Sequence, residues 1–430
     1  MKILVVGSGG REHALCHALK RTSVRPVELY CAPGSDAIAE LARRVPTSAT
    51  DVAALASFAE TEQIALTIVG GEAPLAAGLA DEFERRGLAI AGPRAEAARL
   101  ESSKAYAKEF MARHRIPTAR FRVAASAAEA REILLGGEFG GEESPVVVKA
   151  DGLAAGKGVV VAAGRAEALQ AIAELMEGGR VGAEAARRVV IEEALNGPEA
   201  SLLFWTDGTD YALMPPARDH KRIGEGDTGA NTGGMGAITS ADVLDAETQA
   251  RVRSEIVEPT LAGLRADGLE FRGVIFVGLM LTPDGARVLE YNVRFGDPEA
   301  QAILVRLESD LVEIFEAVAH RNLRGARLLW SDDASACVVL AARGYPEQPE
   351  TGARIEGLPE AARVPSVQLF HAGTTRAADG SWHTAGGRVL GVTSRAPTLD
   401  GALERCYEAA GHISWDGMQY RRDIGRFSKQ

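Results

Sequence analysis

Glu290-Tyr291-Asn292-Val293-Arg294-Phe295-Gly296-Asp297-Pro298-Glu299 is the most telling tract of this chain. On an extended strand successive side chains alternate between faces. Glu290, Asn292 and Arg294 therefore share one face, and Tyr291, Val293 and Phe295 the other. Three polar groups side by side on a strand in apolar surroundings are costly unless they bind something. Oxygen ligands from Glu290 and Asn292 suit Mg²⁺, which takes few protein ligands and completes its shell with phosphates and water. Arg294 beside them can clamp a carboxylate or neutralise charge that develops in a transition state. A merely solvent-facing strand side fits poorly, because the preceding apolar run, residues 274–281, joins this strand through Pro283-Asp284-Gly285. The hairpin reads as the edge of an α+β unit.

Working upstream, the runs 146–149, 159–161, 189–192 and 200–204 are short and β-rich, with a helical pattern over 166–176. Lys149 ends the first of these. Asp151-Gly152-Leu153-Ala154-Ala155-Gly156-Lys157-Gly158 then leads into the next strand. A P-loop has four residues between its glycines, Ser or Thr after its lysine, and a helix behind it; this tract has none of these. A glycine-rich hairpin loop can instead fold over nucleotide phosphates from above, although an ordinary hairpin with surface lysines reads equally well. Residues 219–237, opening with Asp219-His220-Lys221-Arg222, form a Gly-rich polar tract with almost no apolar periodicity, read as a substrate loop.

The first ninety residues alternate strands (3–6, 27–31, 66–69, 88–91) with helical stretches, the pattern of parallel βαβ units and a doubly wound, Rossmann-like domain. Gly7-Ser8-Gly9-Gly10-Arg11-Glu12-His13 follows the first strand and opens a helix, a turn suited to a small anion. Dinucleotide binding would need a third glycine where Glu12 stands. One helix is expected over 94–115. From about residue 335 onward, strands at 337–341, 367–371 and 388–393 and a helix at 399–410 suggest a small third α+β domain.

The balance of 59 acidic against 48 basic residues, formally −11, disfavours a nucleic-acid partner. Phosphates would have to be held by local cations and oriented amides. The longest apolar run is far short of the ~20 residues that span a bilayer, so no membrane is expected. The apolar start breaks at Gly7, too early for an export signal, and four scattered cysteines without a CxxC pair suit free thiols in the cytoplasm.

Lys149, the Gly-rich hairpin, Ile191-Glu192-Glu193-Ala194-Leu195 and the Glu290/Asn292/Arg294 strand together resemble the ATP-grasp fold of carboxylate–amine ligases. With residues 7–14, 68–75, 149–158, 219–237 and 292–301 in order, the chain resembles the phosphoribosylamine–glycine ligase family from Lys2 to Asp423-Ile424-Gly425. The resemblance implies an N-terminal substrate-binding domain (1–101), an ATP-grasp domain (102–328, with a subdomain at about 118–195) and a C-terminal domain (329–430). It implies ligation of glycine to 5-phosphoribosylamine through glycyl phosphate, with ATP as co-substrate and Mg²⁺ or Mn²⁺ on Glu290 and Asn292. Lys104, Lys149, Gly156, Lys157 and Gly158 would face ATP phosphates, Glu192 and Leu195 the adenine, and Glu199 the ribose. Gly9, Gly10, Arg11, Asp219, Lys221, Arg294 and Asp297 would meet the other substrates, with Arg294 catalytic. A monomer or weak dimer is expected. Two departures stand out: the family usually has Pro at the positions of Gly71 and Ala230. The strand before Glu290 also lacks the additional metal carboxylate common in ATP-grasp enzymes. Another ATP-grasp carboxylate–amine ligase, a nicotinamide-dependent oxidoreductase and a non-catalytic nucleotide-binding protein remain as alternative readings.

Overall fold

The structure, a computed structural model, describes residues 1–154, 158–179, 181–182, 185–326 and 328–426. The N-terminal sheet is parallel, in the order Arg43–Arg44, Glu28–Pro33, Lys2–Gly7, Leu66–Val69, Ile90–Ala91. The chain winds one way from its first strand and then the other, so Lys2–Gly7 and Leu66–Val69 flank the switch point. Ligand crevices of doubly wound sheets open there, at the carboxyl ends of the strands. The turns Gly9-Gly10-Arg11 and Gly70-Gly71-Glu72 meet at that edge.

Two four-stranded antiparallel sheets follow. One runs Phe121–Ala124, Val189–Glu193, Val146–Ala150, Val159–Ala162; the other runs Tyr211–Leu213, Glu199–Thr206, Gly273–Thr282, Gly285–Asn292. Gly285–Asn292 is an edge strand, as expected. It ends at Asn292, so Arg294 lies beyond the regular ladder, yet the alternation persists: Tyr291, Val293 and Phe295 are buried. The inward face is fixed by aromatic packing. The Tyr291 hydroxyl lies 2.6 Å from Thr260 Oγ1, and Phe295 meets Trp205 edge-on.

Two expectations need correction. The single helix over 94–115 is two, Ala95–Ser102 and Lys104–Arg113, broken at Ser103. Ser103 caps the second helix by accepting the amide of Tyr106, an arrangement that favours a fresh start over continuation. The Gly-rich tract is also more ordered than its periodicity suggests. Thr228–Asn231 pairs with Arg222–Gly224, while Arg218–Asp219 and Gly236–Thr239 enter the C-terminal sheet beside Ala334–Ala341, Arg388–Ala396 and Val367–His371. The far C-terminus pins this tract. Arg421 bonds Asp227 and the Arg222 carbonyl, and Asp423 accepts the amide of Gly226. Among the described residues no helix is long and apolar enough to cross a membrane.

Candidate active site

One cavity of 1270 Å³ opens between the two antiparallel sheets and extends to the switch point of the N-terminal sheet. Lys104, Lys149, Gly158, Glu192, Leu195, Glu199, Asp219, Lys221, Glu290, Asn292, Arg294, Asp297 and Arg11 all line it. Lys104 reaches it because Ser103 starts the helix there. Asp151 locks that start by accepting from Ser103 Oγ and the Ala105 amide, both at 2.8 Å, while its other oxygen takes Arg188 at 2.7 Å. Asp151 thus ties the root of the glycine-rich loop to the helix that carries Lys104. Gly156 and Lys157 lie outside the described residues.

At the sheet end, Lys149 donates to the Leu289 carbonyl (3.2 Å) and ion-pairs with Glu192 (3.0 Å). Lys221 pairs with Glu199 at 2.5 Å. Burial works against ionisation of Glu290, but Lys221, Lys149 and Lys104 together hold its carboxyl below the ordinary value. Burial lowers the Lys104 ammonium, with Glu290 opposing. Asp219 and Glu299 are both pushed upward by burial and by neighbouring carboxylates.

At the other end, Arg294 is held by Glu101 (2.7 Å) and Glu72 (3.2 Å). Arg11 donates to Glu12 (2.8 Å) and to the Phe295 carbonyl (3.0 Å). Arg388, from the C-terminal sheet, bonds the carbonyls of Gly233 and Asp297 and reaches the Asp297 carboxylate at 3.1 Å. Burial pushes Asp297 up, yet Arg388 and Arg11 outweigh it and keep the carboxyl below its ordinary value. Gly9 and Gly10 adjoin the cavity rather than line it. The Gly9 amide is spent on Glu12 Oε2 at 2.6 Å, and a Cβ on Gly10 would come within 2.7 Å of Gln301. Glu12 fills the crevice that a dinucleotide-binding turn leaves open. A Cβ at Gly7 (φ +136°) or Gly70 would collide with its side chain.

The pattern described as Phosphoribosylglycinamide synthetase, N domain, matches residues 1–101; its ATP-grasp (A) domain matches 102–300 and its C domain 335–427. A phosphoribosylamine–glycine ligase from Xanthomonas axonopodis pv. citri is 47% identical over 432 residues, covering 99% of this chain and 97% of that relative. The chain belongs to the phosphoribosylamine–glycine ligase family. The Chlorobaculum tepidum member is 46% identical over 431 residues, covering 99% of each chain. The solved phosphoribosylamine–glycine ligase of Thermotoga maritima superposes with a TM-score of 0.82 at 34% identity, covering 98% of this chain and 100% of that one. The biotin carboxylase domain of Hydrogenobacter thermophilus 2-oxoglutarate carboxylase, solved with MgADP and bicarbonate, shares the fold at 16% identity, with a TM-score of 0.72 over 97% of this chain and 91% of that one.

Within this site, sequence reasoning missed Glu72, Glu101, Lys108, Asp151, Glu299 and Arg388. Glu72 and Asp151 sit in quoted tracts, and Glu299 closes the most telling one, so proximity could have flagged them. Lys108 follows Lys104 by one helical turn, a signal that a helix starting at Ser103 would have revealed. Arg388 carries no local signal.

Proposed function

We propose that the cavity runs the ligation in two steps at one place. A glycine carboxylate oxygen attacks the γ-phosphorus of ATP, the bond to the ADP oxygen breaks, and glycyl phosphate forms. The amine of 5-phosphoribosylamine then attacks the glycyl carbonyl, loses a proton and expels phosphate, leaving glycinamide ribonucleotide. Such chemistry needs positioning and charge neutralisation more than protein nucleophiles. The observation that carries this reading is that cations from all three parts of the chain converge on one cavity: Arg11 from the N-terminal domain, Lys104, Lys149 and Arg294 from the centre, and Arg388 from the C-terminal sheet.

In this reading Lys104, Lys149 and the 151–158 loop take the ATP phosphates, Glu192 and Leu195 the adenine, and Glu199 the ribose. Arg294 aligns glycine's carboxylate, Asp219 and Lys221 border the glycine site, and Gly9, Gly10, Arg11 and Asp297 receive phosphoribosylamine. Glu290 and Asn292 fit Mg²⁺ or Mn²⁺. Both line the cavity on one face of an edge strand, and Glu290 is held ionised by surrounding lysines. Among the described residues no group of three His, Cys, Asp or Glu side chains has metal-holding geometry, which suits an ion completed by phosphates and water. The metal would draw charge from the phosphates. Domain limits at 101/102 and 328/329, a cytoplasmic place, a monomer or weak dimer, and no nucleic-acid or membrane partner belong to the same reading.

The direct test is ADP release by the purified protein with ATP, glycine and freshly generated phosphoribosylamine. Release that requires both glycine and the amine is expected. Release supported by a different amino or keto acid would favour another ATP-grasp ligase.

A further inference from the structure

Lys108 was absent from the sequence-level site, yet its side chain is only 2% exposed and lines the cavity. Its ammonium donates to Thr118 Oγ1 (2.7 Å) and ion-pairs with Glu192 Oε2 at 2.9 Å. The Thr118 hydroxyl spends its own proton on the Val288 carbonyl at 2.6 Å, so toward Lys108 it can only accept. This chain of bonds ties the helix Lys104–Arg113 to strands of both antiparallel sheets.

Glu192, 1% exposed, thus carries two ammonium partners. They are not equivalent. Lys149 sits on the paired strand, and its second partner is a backbone carbonyl, so it is free to exchange toward phosphate oxygens. Lys108 has no such freedom, being buried and anchored at Thr118. Glu192 Oε1 has Lys149 at 3.0 Å but off the hydrogen-bonding direction, and among the described residues it accepts no hydrogen bond. A buried acceptor that is charge-balanced but without a donor is suited to an N–H brought by a ligand. Burial lowers the Lys108 ammonium to about 8, with Lys149 adding to the effect and Glu192 opposing.

We infer that Lys108 is a positioning residue for base recognition: it keeps Glu192 aimed at the 6-amino group of the purine while Lys149 leaves that carboxylate for the phosphates. The inference rests on the reading of Glu192 as the adenine contact. A 6-oxo purine would turn an acceptor toward the same carboxylate and be rejected, so Lys108 would set the preference for ATP over GTP through Glu192.

The test measures kcat and KM with ATP and with GTP, together with Tm, for Lys108→Met, Glu192→Gln and Thr118→Val. Lys108→Met should raise the KM for ATP about tenfold and reduce the ATP-over-GTP preference about tenfold, with kcat changed less than about threefold. Thr118→Val keeps the charge and loses the anchor, and should weaken the preference by about two- to threefold. A drop in Tm with the preference intact in Lys108→Met would make Lys108 a structural ion pair and overturn the inference. If Glu192→Gln shifts the preference while Lys108→Met does not, the adenine contact stands and the role of Lys108 falls. If Glu192→Gln leaves the preference untouched, the adenine reading itself fails and the inference with it. Should Lys108→Met not fold, Thr118→Val decides: an unchanged preference overturns the inference.

Discussion

The two ends of the cavity are built from different cations. Between the antiparallel sheets lysines predominate: Lys149 and Lys221 pair with Glu192 and Glu199, and Lys104 and Lys149 also rest on backbone carbonyls at 3.4 and 3.2 Å. At the switch point the cations are arginines clasped by carboxylates: Arg294 by Glu72 and Glu101, Arg11 by Glu12, Arg388 by Asp297. A lysine is a point charge on a flexible stem and changes partners easily, whereas a guanidinium held at several of its nitrogens, as Arg294 is by two acids, keeps its plane and direction. On the proposed assignment, the nucleotide end is completed when ATP arrives, and the end for the other substrates is assembled beforehand. That assignment puts preorganisation where an unstable acyl phosphate would meet its amine in one geometry.

The largest effect should come from the junction of the two ends. Glu290→Gln removes the anion that the lysines surround, and turnover should fall by on the order of a thousandfold at saturating Mg²⁺, with circular dichroism and Tm preserved. Retained ADP release would mean the lysine end works without a metal carboxylate. Arg294→Lys keeps the charge but cannot span Glu72 and Glu101. A loss of roughly a hundredfold is expected in glycyl phosphate formation, read by positional isotope exchange in ATP, with ATP binding near normal. Wild-type exchange would show that fixed geometry is dispensable at the arginine end.

Arg11→Ala should raise the KM for phosphoribosylamine by roughly tenfold or more, as expected for loss of a charge-assisted contact worth ~1.5–3 kcal/mol, and leave that for ATP nearly unchanged. A rise confined to ATP would move Arg11 to the lysine end. The smallest effect concerns the scaffold behind the arginines. His13 Nδ1 accepts the His371 amide at 3.0 Å, and burial, with His371 and His17 nearby, lowers His13 to about 3; burial lowers His371 to about 4. These folded values lie below the unfolded ~6.5, so the folded state binds fewer protons than the unfolded between them. Stability should be full above pH 6.5 and fall toward pH 4, by up to about 1.4 kcal/mol per pH unit for each histidine. Urea midpoints across that range should show the slope, and His13→Gln should flatten it. An unchanged slope would locate the acid sensitivity elsewhere.

Strand alternation made Glu290, Asn292 and Arg294 legible as one polar face, and the strand–helix rhythm of the first ninety residues made the parallel sheet legible, because both rest on local periodicity. The glycine-rich hairpin was legible for the same reason. Residues 219–237 were not: Arg222–Gly224 pairs with Thr228–Asn231 through a register shift, and Gly236–Thr239 pairs with Ala334–Ala341 about a hundred residues away, so no regular local period marks the tract.

By itself, then, the sequence determined the strands and helices that carry a regular local period, which faces are polar, and through its ordered motifs the family. Only the tertiary structure decided how those polar groups are employed. It gave Glu101 to Arg294 and Lys108 to Glu192, and it brought Arg388 across from the C-terminal sheet. The reason is physical: periodicity reports the direction of a side chain relative to its own backbone, whereas a buried charge is satisfied by whichever opposite charge the packing of distant segments places within about 3 Å.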